Sequence, residues 1–396
     1  MRNRAARRVG AFALTLLAIE FLDELAFGAR EAAWPLVRDD LGLDYIQVGI
    51  LLGLPNFIAN FIEPLIGILG DVWKRRVLVL GGGIVFGLSL LLTALSGNFW
   101  VLLLSFILFS PASGAFVSLS QATLMDTDPA RHEHNMARWT FAGSLGVVAG
   151  TLAVGAASWL HLGWRPLFLL FAALTLVLVL VLAAARFRFP RSSEESDEEL
   201  SLGGGILDAV AALRRKEVLR WLTLLEFSDL MLDVLLGFLA LYFVDVVRVS
   251  PSDAALAVTL WTVVGLAGDF LLIPLLERVR GLSYLRTSAL VLVVLYPAFL
   301  LVPYLWAKFV LVALLGLFNA GWYSILKGNL YSSMPGRSGT VMALGNVFGL
   351  VGSLLPVGIG LASERLGLSS AMWLLLLGPV ALLIGLPKGA GQQTSA

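Results

Sequence analysis

An internal repeat of rare charges constrains this chain more than any other feature. Shifting the N-terminal half by 206 residues places Glu20 on Glu226, Asp23 on Asp229 and Glu63 on Asp269. The same shift places Asp71 on Glu277, Pro129 on Pro335 and Arg131 on Arg337, and Gly143 and Gly146 on Gly349 and Gly352, without a gap. A shared apolar bias would align leucines, but it would not align scarce charges in one register. The chain is therefore two copies of one unit.

The unit is apolar. The sequence is 58% hydrophobic and only 14% charged, against roughly 25% charged in a typical soluble domain. About twelve stretches are long enough to cross roughly 30 Å of hydrocarbon, near residues 11–37, 46–70, 77–96, 99–125, 138–160 and 164–185, then 219–247, 254–276, 284–304, 308–332, 340–362 and 370–386. Between the halves, residues 187–217 change character. Arg191 to Glu199 and the glycines 203–205 read as a polar, flexible linker, and Ile206 to Glu217 as an amphipathic helix on the membrane surface. The expected domains are thus a six-helix bundle over 1–186, a linker over 187–217 and a second bundle over 218–396. Arg2 to Arg8, Lys74, Arg75, Arg76, the linker residues, Arg278, Arg280, Arg286 and Lys388 fall on one side, against Arg38, Arg165, Arg248, Lys308 and Arg365 on the other. The bias predicts cytoplasmic termini and linker in a multi-pass protein of the cell membrane. The first apolar stretch carries acids and closes on no small-residue cleavage pattern, which argues against a cleaved signal peptide.

The loop between the second and third stretches reads Gly67-Ile-Leu-Gly-Asp71-Val-Trp-Lys-Arg75-Arg76. It resembles the cytoplasmic signature of the major facilitator superfamily, with Val72 in place of an Arg and Lys74 in place of a Gly. Leu276 to Gly281, which includes Glu277 and Arg278, is its worn second copy. The resemblance covers the whole chain and implies an all-α membrane fold of twelve helices in two pseudo-symmetric bundles. It also implies a gating role for Asp71, Arg75, Arg76, Glu277 and Arg278, with a topological anchor as the alternative. Gly146-Val-Val-Ala-Gly150-Thr-Leu-Ala-Val-Gly155 is similar to the glycine motif of proton-driven drug antiporters in that superfamily, but Thr151 stands where they have Pro and Ser110 where they have a buried Arg. Small residues four apart also suit plain helix packing. Pro335 to Gly339 and Gln47 to Gly49 resemble the fosmidomycin-resistance branch of efflux proteins.

The acids carry the chemistry. At 100° per residue, Glu20, Asp23, Glu24 and Glu31 share about a third of the first helix surface, and Glu226, Asp229 and Asp233 do the same on the seventh. Glu20 falls about 15 Å into the membrane at 1.5 Å per residue, where a charge costs on the order of 3 kcal/mol. Such acids must face water or hold protons part of the time. In the superfamily the first helix of each three-helix unit lines the cavity, which the resemblance assigns here to helices one, four, seven and ten. Lys327 on helix ten aligns with Gln121 on helix four, beside Ser118, Ser120 and Thr123. Lys327 is expected to meet an acid of helix one or seven, as a moving or a static pair. Glu63 and Asp269 suit packing seams, lateral gates or proton carriage.

Other features are set aside. No cysteine is present, which removes disulfides, thiolate metal sites and cysteine chemistry. His132-Glu-His134 reads as a solvated loop, and Gly81-Gly-Gly83 lacks the Lys-Ser/Thr of a phosphate loop. Trp34, Trp100, Trp159, Trp164 and Trp306 read as interfacial anchors. The near-neutral net charge of +1 gives no reason to expect nucleic acid. The expectation is a monomeric secondary transporter in the lipid bilayer, with no cofactor or metal and not an enzyme. It would export a small molecule against protons by alternating access. Uptake or uniport in the same scaffold is the alternative, and an intramembrane hydrolase using Asp23 with Asp229, or a non-transporting sensor, is more remote.

Overall fold

The computed structural model describes residues 2–72, 74–127, 132–184, 214–333 and 338–387, and of these the side chains of 2–9, 67, 68, 70–72, 126, 127, 132–134, 136, 137 and 338–343 lie outside the description. Most of the linker expected at 187–217, and with it most of the surface helix expected at 206–217, also lies outside it, as do Pro129, Arg131, Pro335 and Arg337. The described residues form helices and turns, with no strand among them.

In the first half the spans are Arg2–Leu41, Tyr45–Val72, Arg75–Leu95, a fourth built from Phe99–Ser113, Gly114–Ser118 and Leu119–Thr127, then His132–Trp159 and Arg165–Ala184. In the second half they begin with a seventh running from Lys216–Asp229 through to Phe243–Val247, then Pro251–Leu276 and Gly281–Leu301. A tenth is broken into Leu305–Asn319 and Trp322–Ser332, an eleventh into Ser338–Gly352 and Leu355–Leu366, and a twelfth runs from Leu368–Ala371 to Leu377–Gly385. Among the described residues, eleven helices are long and apolar enough to cross a membrane. Span one is longer than any of them at 40 residues, but Glu20, Asp23, Glu24, Arg30 and Glu31 lower its hydropathy. The expected His132 loop is instead the start of span five, and the helix of span seven begins at Lys216, inside the expected linker.

The chain forms two compact units that cross the sequence halves. One comprises residues 1–199, 237–259 and 353–368, and the other residues 200–236, 260–352 and 369–396. "Distal" below means the membrane face at the C-terminal end of span one. The first unit therefore holds the six N-terminal spans together with the distal ends of spans seven and eleven and the distal start of span eight.

Glycine sets the close crossings in the first unit. A Cβ on Gly28 would collide with the Val147 carbonyl, one on Gly146 with the Phe21 carbonyl, and one on Gly150 with the Leu25 carbonyl and, at 2.7 Å, the Ala29 nitrogen. The glycine motif of span five is thus its packing seam against span one. At the distal end span two crosses the outer part of span eleven in the same way, with Gly49 against the Pro356 carbonyl, Gly53 against Ser353 and Gly360 against Tyr45. In the second unit, Gly316 of span ten lies on the Trp261 carbonyl of span eight.

Two of the expected interfacial tryptophans are buried instead. Trp34 is 1% and Trp164 2% exposed, because each indole has an acid to donate to, Glu31 at 3.2 Å and Asp40 at 3.2 Å. Trp100, Trp159 and Trp306 are exposed, as an anchor must be. Lys308, expected on the outer surface, is buried. Its Nζ donates to the Phe299 carbonyl at 2.6 Å and closes the C-terminal end of span nine.

If the span one–span five seam is as tight as this, G150A destabilises the protein by about 1–3 kcal/mol, read as a lower melting temperature in detergent. G81A, where nothing lies within 4 Å of the added carbon, leaves it unchanged or slightly raised.

Candidate functional site

The acid stripes sit where the opposing helix leaves room. In the first unit the Glu20 carboxyl lies over Gly143 of span five and Glu24 over Gly146. Glu20 is buried at 8% exposure and takes a hydrogen bond from the Trp139 side chain. In the second unit the Glu226 carboxylate lies over Gly352 of span eleven. Gly352 is the repeat partner of Gly146, the gap that Glu24 fills in the first half, so each copy lodges its leading acid against a glycine of the equivalent helix, one turn apart.

The neighbouring acid repeats as well. Ser113 of span four donates to Asp23 of span one at 3.0 Å. Its repeat partner, Asn319 of span ten, donates to the Met231 carbonyl of span seven at 2.7 Å. Both contacts fall where the helix departs from α geometry. Span four widens to a π turn over Gly114–Ser118, and span seven does so over Leu230–Val234, between Asp229 and the next α segment. Such turns free backbone groups and recur at functional positions. The Asp229 and Asp233 side chains lie near enough on this turn for their charges to interact.

The halves diverge at the partner of the leading acid. Lys327 and Glu226 are near enough for their charges to interact, yet they do not form a contact pair. The Lys327 Nζ lies against Gly345, 3.1 Å from a Cβ built there, and Glu226 against Gly352. Seven residues separate the two glycines, which is about 10 Å along span eleven. In the first half the position equivalent to Gly345 is Trp139, and Gln121, the counterpart of Lys327, is half-buried on span four. The hydroxyls of Ser120 and Thr123 are taken up by the Phe116 and Leu119 carbonyls of their own helix, so the polar face expected there is partly internal.

Of the expected gate residues, the Asp71 side chain lies outside the described residues. Arg76 donates to the Ala183 carbonyl at 2.8 Å, closing the end of span six, and Arg75 is buried at the start of span three. Glu277 and Arg278 are exposed on the turn after span eight.

Two charged clusters escaped sequence reasoning. Arg30 pairs with Glu31 at 3.0 Å and lies over the Phe27 and Phe106 rings, 5.2 and 5.5 Å from their centroids, while Trp34 donates to the other Glu31 oxygen. The cation is thus neutralised inside the membrane. The second cluster closes the distal end of the first unit. Arg38 of span one forms a forked pair with Asp245 of span seven, 2.7 Å on its Nη2 side, and the Tyr45 hydroxyl donates to the same carboxylate at 2.6 Å. The Tyr45 backbone N–H donates to Glu364 of span eleven at 3.2 Å, and Thr259 of span eight donates to Thr151 of span five at 2.9 Å. Asp245 stands 206 residues after Asp39, so the repeat register itself marks it.

Comparison with known proteins agrees with this architecture. The family model described as Major Facilitator Superfamily matches residues 16–357. The fold is similar to a bacterial homolog of the human lysosomal transporter Spinster in an inward-facing, unoccupied conformation, at 18% identity and a TM-score of 0.75 over 96% of this chain and 95% of that one. It is similar to the nucleoside transporter NupG at 15% identity and a TM-score of 0.76, over 95% and 98% of the two chains. It is also similar to the POT family transporter PepTSo at 16% identity and a TM-score of 0.69, over 95% and 96%. No curated protein matches the sequence. The chain belongs to the major facilitator superfamily and is a multi-pass membrane protein with the fold of that superfamily's transporters.

Proposed function

We propose that the protein is a secondary transporter of the cell membrane, with cytoplasmic termini, that exports a small amphipathic or cationic compound in exchange for protons by alternating access. The observation that carries this reading is the lodging of Glu20 and Glu226 in glycine gaps on spans five and eleven. A carboxyl at hydrocarbon depth costs on the order of 3 kcal/mol if it stays charged and unpartnered. Two such groups at the same repeat position, each lodged against a glycine of the equivalent helix though one turn apart along it, are better suited to exchanging protons or holding a cation than to packing. Asp23 and Glu24 extend the first stripe by a turn, Asp229 and Asp233 extend the second by one and two turns, and Lys327 supplies a cation that competes for Glu226. The family and the transporter neighbours indicate a transporter rather than an enzyme.

In this reading the Arg38–Asp245–Tyr45 cluster is the lock on the distal face. Opening that face requires the forked pair to break together with the Tyr45–Asp245, Tyr45–Glu364 and Thr259–Thr151 hydrogen bonds and the glycine crossings of spans two and eleven.

Proton coupling is tested in liposomes holding the purified protein, a pH-sensitive dye and an imposed pH gradient, against a panel of cationic and amphipathic compounds. A compound that drives proton flux in the wild type is expected to drive flux reduced on the order of a hundredfold in E20Q and E226Q. Equilibration of a labelled compound with no proton movement, unchanged in the variants, would replace export by uniport.

The lock is tested separately. R38A removes about 2 kcal/mol from the distal-closed state, a value between those of exposed and buried pairs. A single cysteine at the buried Thr259, in a chain with none of its own, is then expected to react faster with an impermeant maleimide in R38A. The charge exchange R38D with D245R returns it toward the slow rate. An unaltered rate in R38A removes the lock.

A further inference from the structure

Asp269, like its repeat partner Glu63, is an intramembrane acid that the proton-coupling argument leaves unused. It lies on span eight, and its Oδ1 accepts the Gly321 backbone N–H at 2.8 Å. Gly321 is the break in span ten. It has φ of 74° and caps the helix Trp322–Ser332 that carries Lys327. That left-handed conformation favours glycine, and a Cβ there would also collide with Leu272 of span eight.

Three polar groups at the break are held by three different helices. The Ala320 carbonyl accepts the Tyr284 hydroxyl of span nine at 3.0 Å, the Gly321 N–H goes to Asp269 of span eight, and Asn319 donates to Met231 on the π turn of span seven. The first of the four helix-start amides left over by a helix break is thus fixed from outside the helix. The repeat partner of Asp269 occupies the same place in the other unit. Glu63 of span two packs its side chain over Gly114, at the π turn of span four, 3.0 Å from a Cβ built there.

We propose that Asp269 is a positioning residue. By accepting the Gly321 N–H it fixes the break in span ten, and so sets where the helix below it holds Lys327 relative to Glu226. Its role is that of a hydrogen-bond acceptor and not of a proton carrier, so an amide can replace the carboxylate. The ionisable group that faces it at the break is Tyr284 of span nine. This inference rests on the transport reading above for its consequence, but not for its geometry.

The test therefore has two readouts. Hydrogen–deuterium exchange in lipid nanodiscs follows residues 316–332. D269A is expected to speed exchange there about fivefold, as loss of a cap does, and D269N, which keeps an acceptor oxygen, leaves it at the wild-type rate. Unchanged exchange in D269A overturns the proposal whether or not the protein transports. Proton flux in liposomes then reads the consequence. D269N keeps wild-type flux and the wild-type pH profile, whereas D269A loses flux and adds no further loss to K327M. A D269N variant as inactive as D269A, or one with a shifted pH profile, assigns Asp269 to proton carriage and overturns the positioning role. Wild-type flux in D269A, or additive losses in the double variant, also overturns it. A wild-type protein that moves no protons refutes the proton-coupled reading alone, and the exchange data still decide for or against Asp269. If D269A does not fold, D269N decides by both readouts.

Discussion

A carboxyl group at hydrocarbon depth is tolerable only where the opposing helix gives way to it or supplies a partner, and the arrangement of this protein follows from meeting that condition repeatedly. Glu20 has Gly143 and Trp139, Glu226 has Gly352, Asp23 has Ser113 and Glu31 has Arg30 and Trp34. Glycine serves twice in span five. It brings the backbone of span one close enough for van der Waals contact, and it opens the space that the acid stripe of span one needs. The stripe and the seam are therefore one feature, and neither helix makes sense without the other.

The same condition explains the irregular helices. A π turn or a break exposes backbone groups that must be satisfied inside the membrane. Here those groups are met by side chains from neighbouring spans: Asn319 on the turn of span seven, and Asp269 and Tyr284 on the break of span ten. Irregular backbone is thus placed beside the acids and is cross-braced there. Away from them, Lys308 on the end of span nine and Arg76 on the end of span six perform ordinary helix closure. The two copies have kept this plan while changing its chemistry at one point. Trp139 partners Glu20 in the first half, whereas in the second Gly345 admits Lys327 near Glu226. The leading acid thus meets a neutral indole in one half and a nearby cation in the other.

Much of this was legible in the sequence. The spans follow from apolar length, and the charge register at 206 residues picks out Glu20, Asp23, Glu226 and Asp229 because so few other charges compete with them. The register also located Gly146 and Gly352, although their fit to the acids needed coordinates. What stayed hidden was pairing across distance. Arg38 and Asp245 lie 207 residues apart, and no spacing rule links an Arg at the end of one span to an Asp at the end of another. Trp34 and Trp164 read as anchors because position along a span says nothing of which way an indole points. Lys308 misled for a similar reason, since a Lys near a span end usually reaches outward but here turns back onto the carbonyls of span nine. Asp269 was visible as an acid, but its duty depends on Gly321, whose left-handed backbone leaves no mark in the hydropathy.

The central claim is that the distal closure of the first unit is one state of two. Spin labels at Leu162 and Leu366, both exposed distal positions in a chain free of native cysteine, give the distance between span five's distal end and that of span eleven by double electron–electron resonance. The account predicts a second, longer distance population that grows when R38A is introduced or when a transported compound and a pH gradient are supplied. A single distance, unmoved by the substitution, the compound and the gradient, would contradict alternating access and leave the protein a static member of its fold.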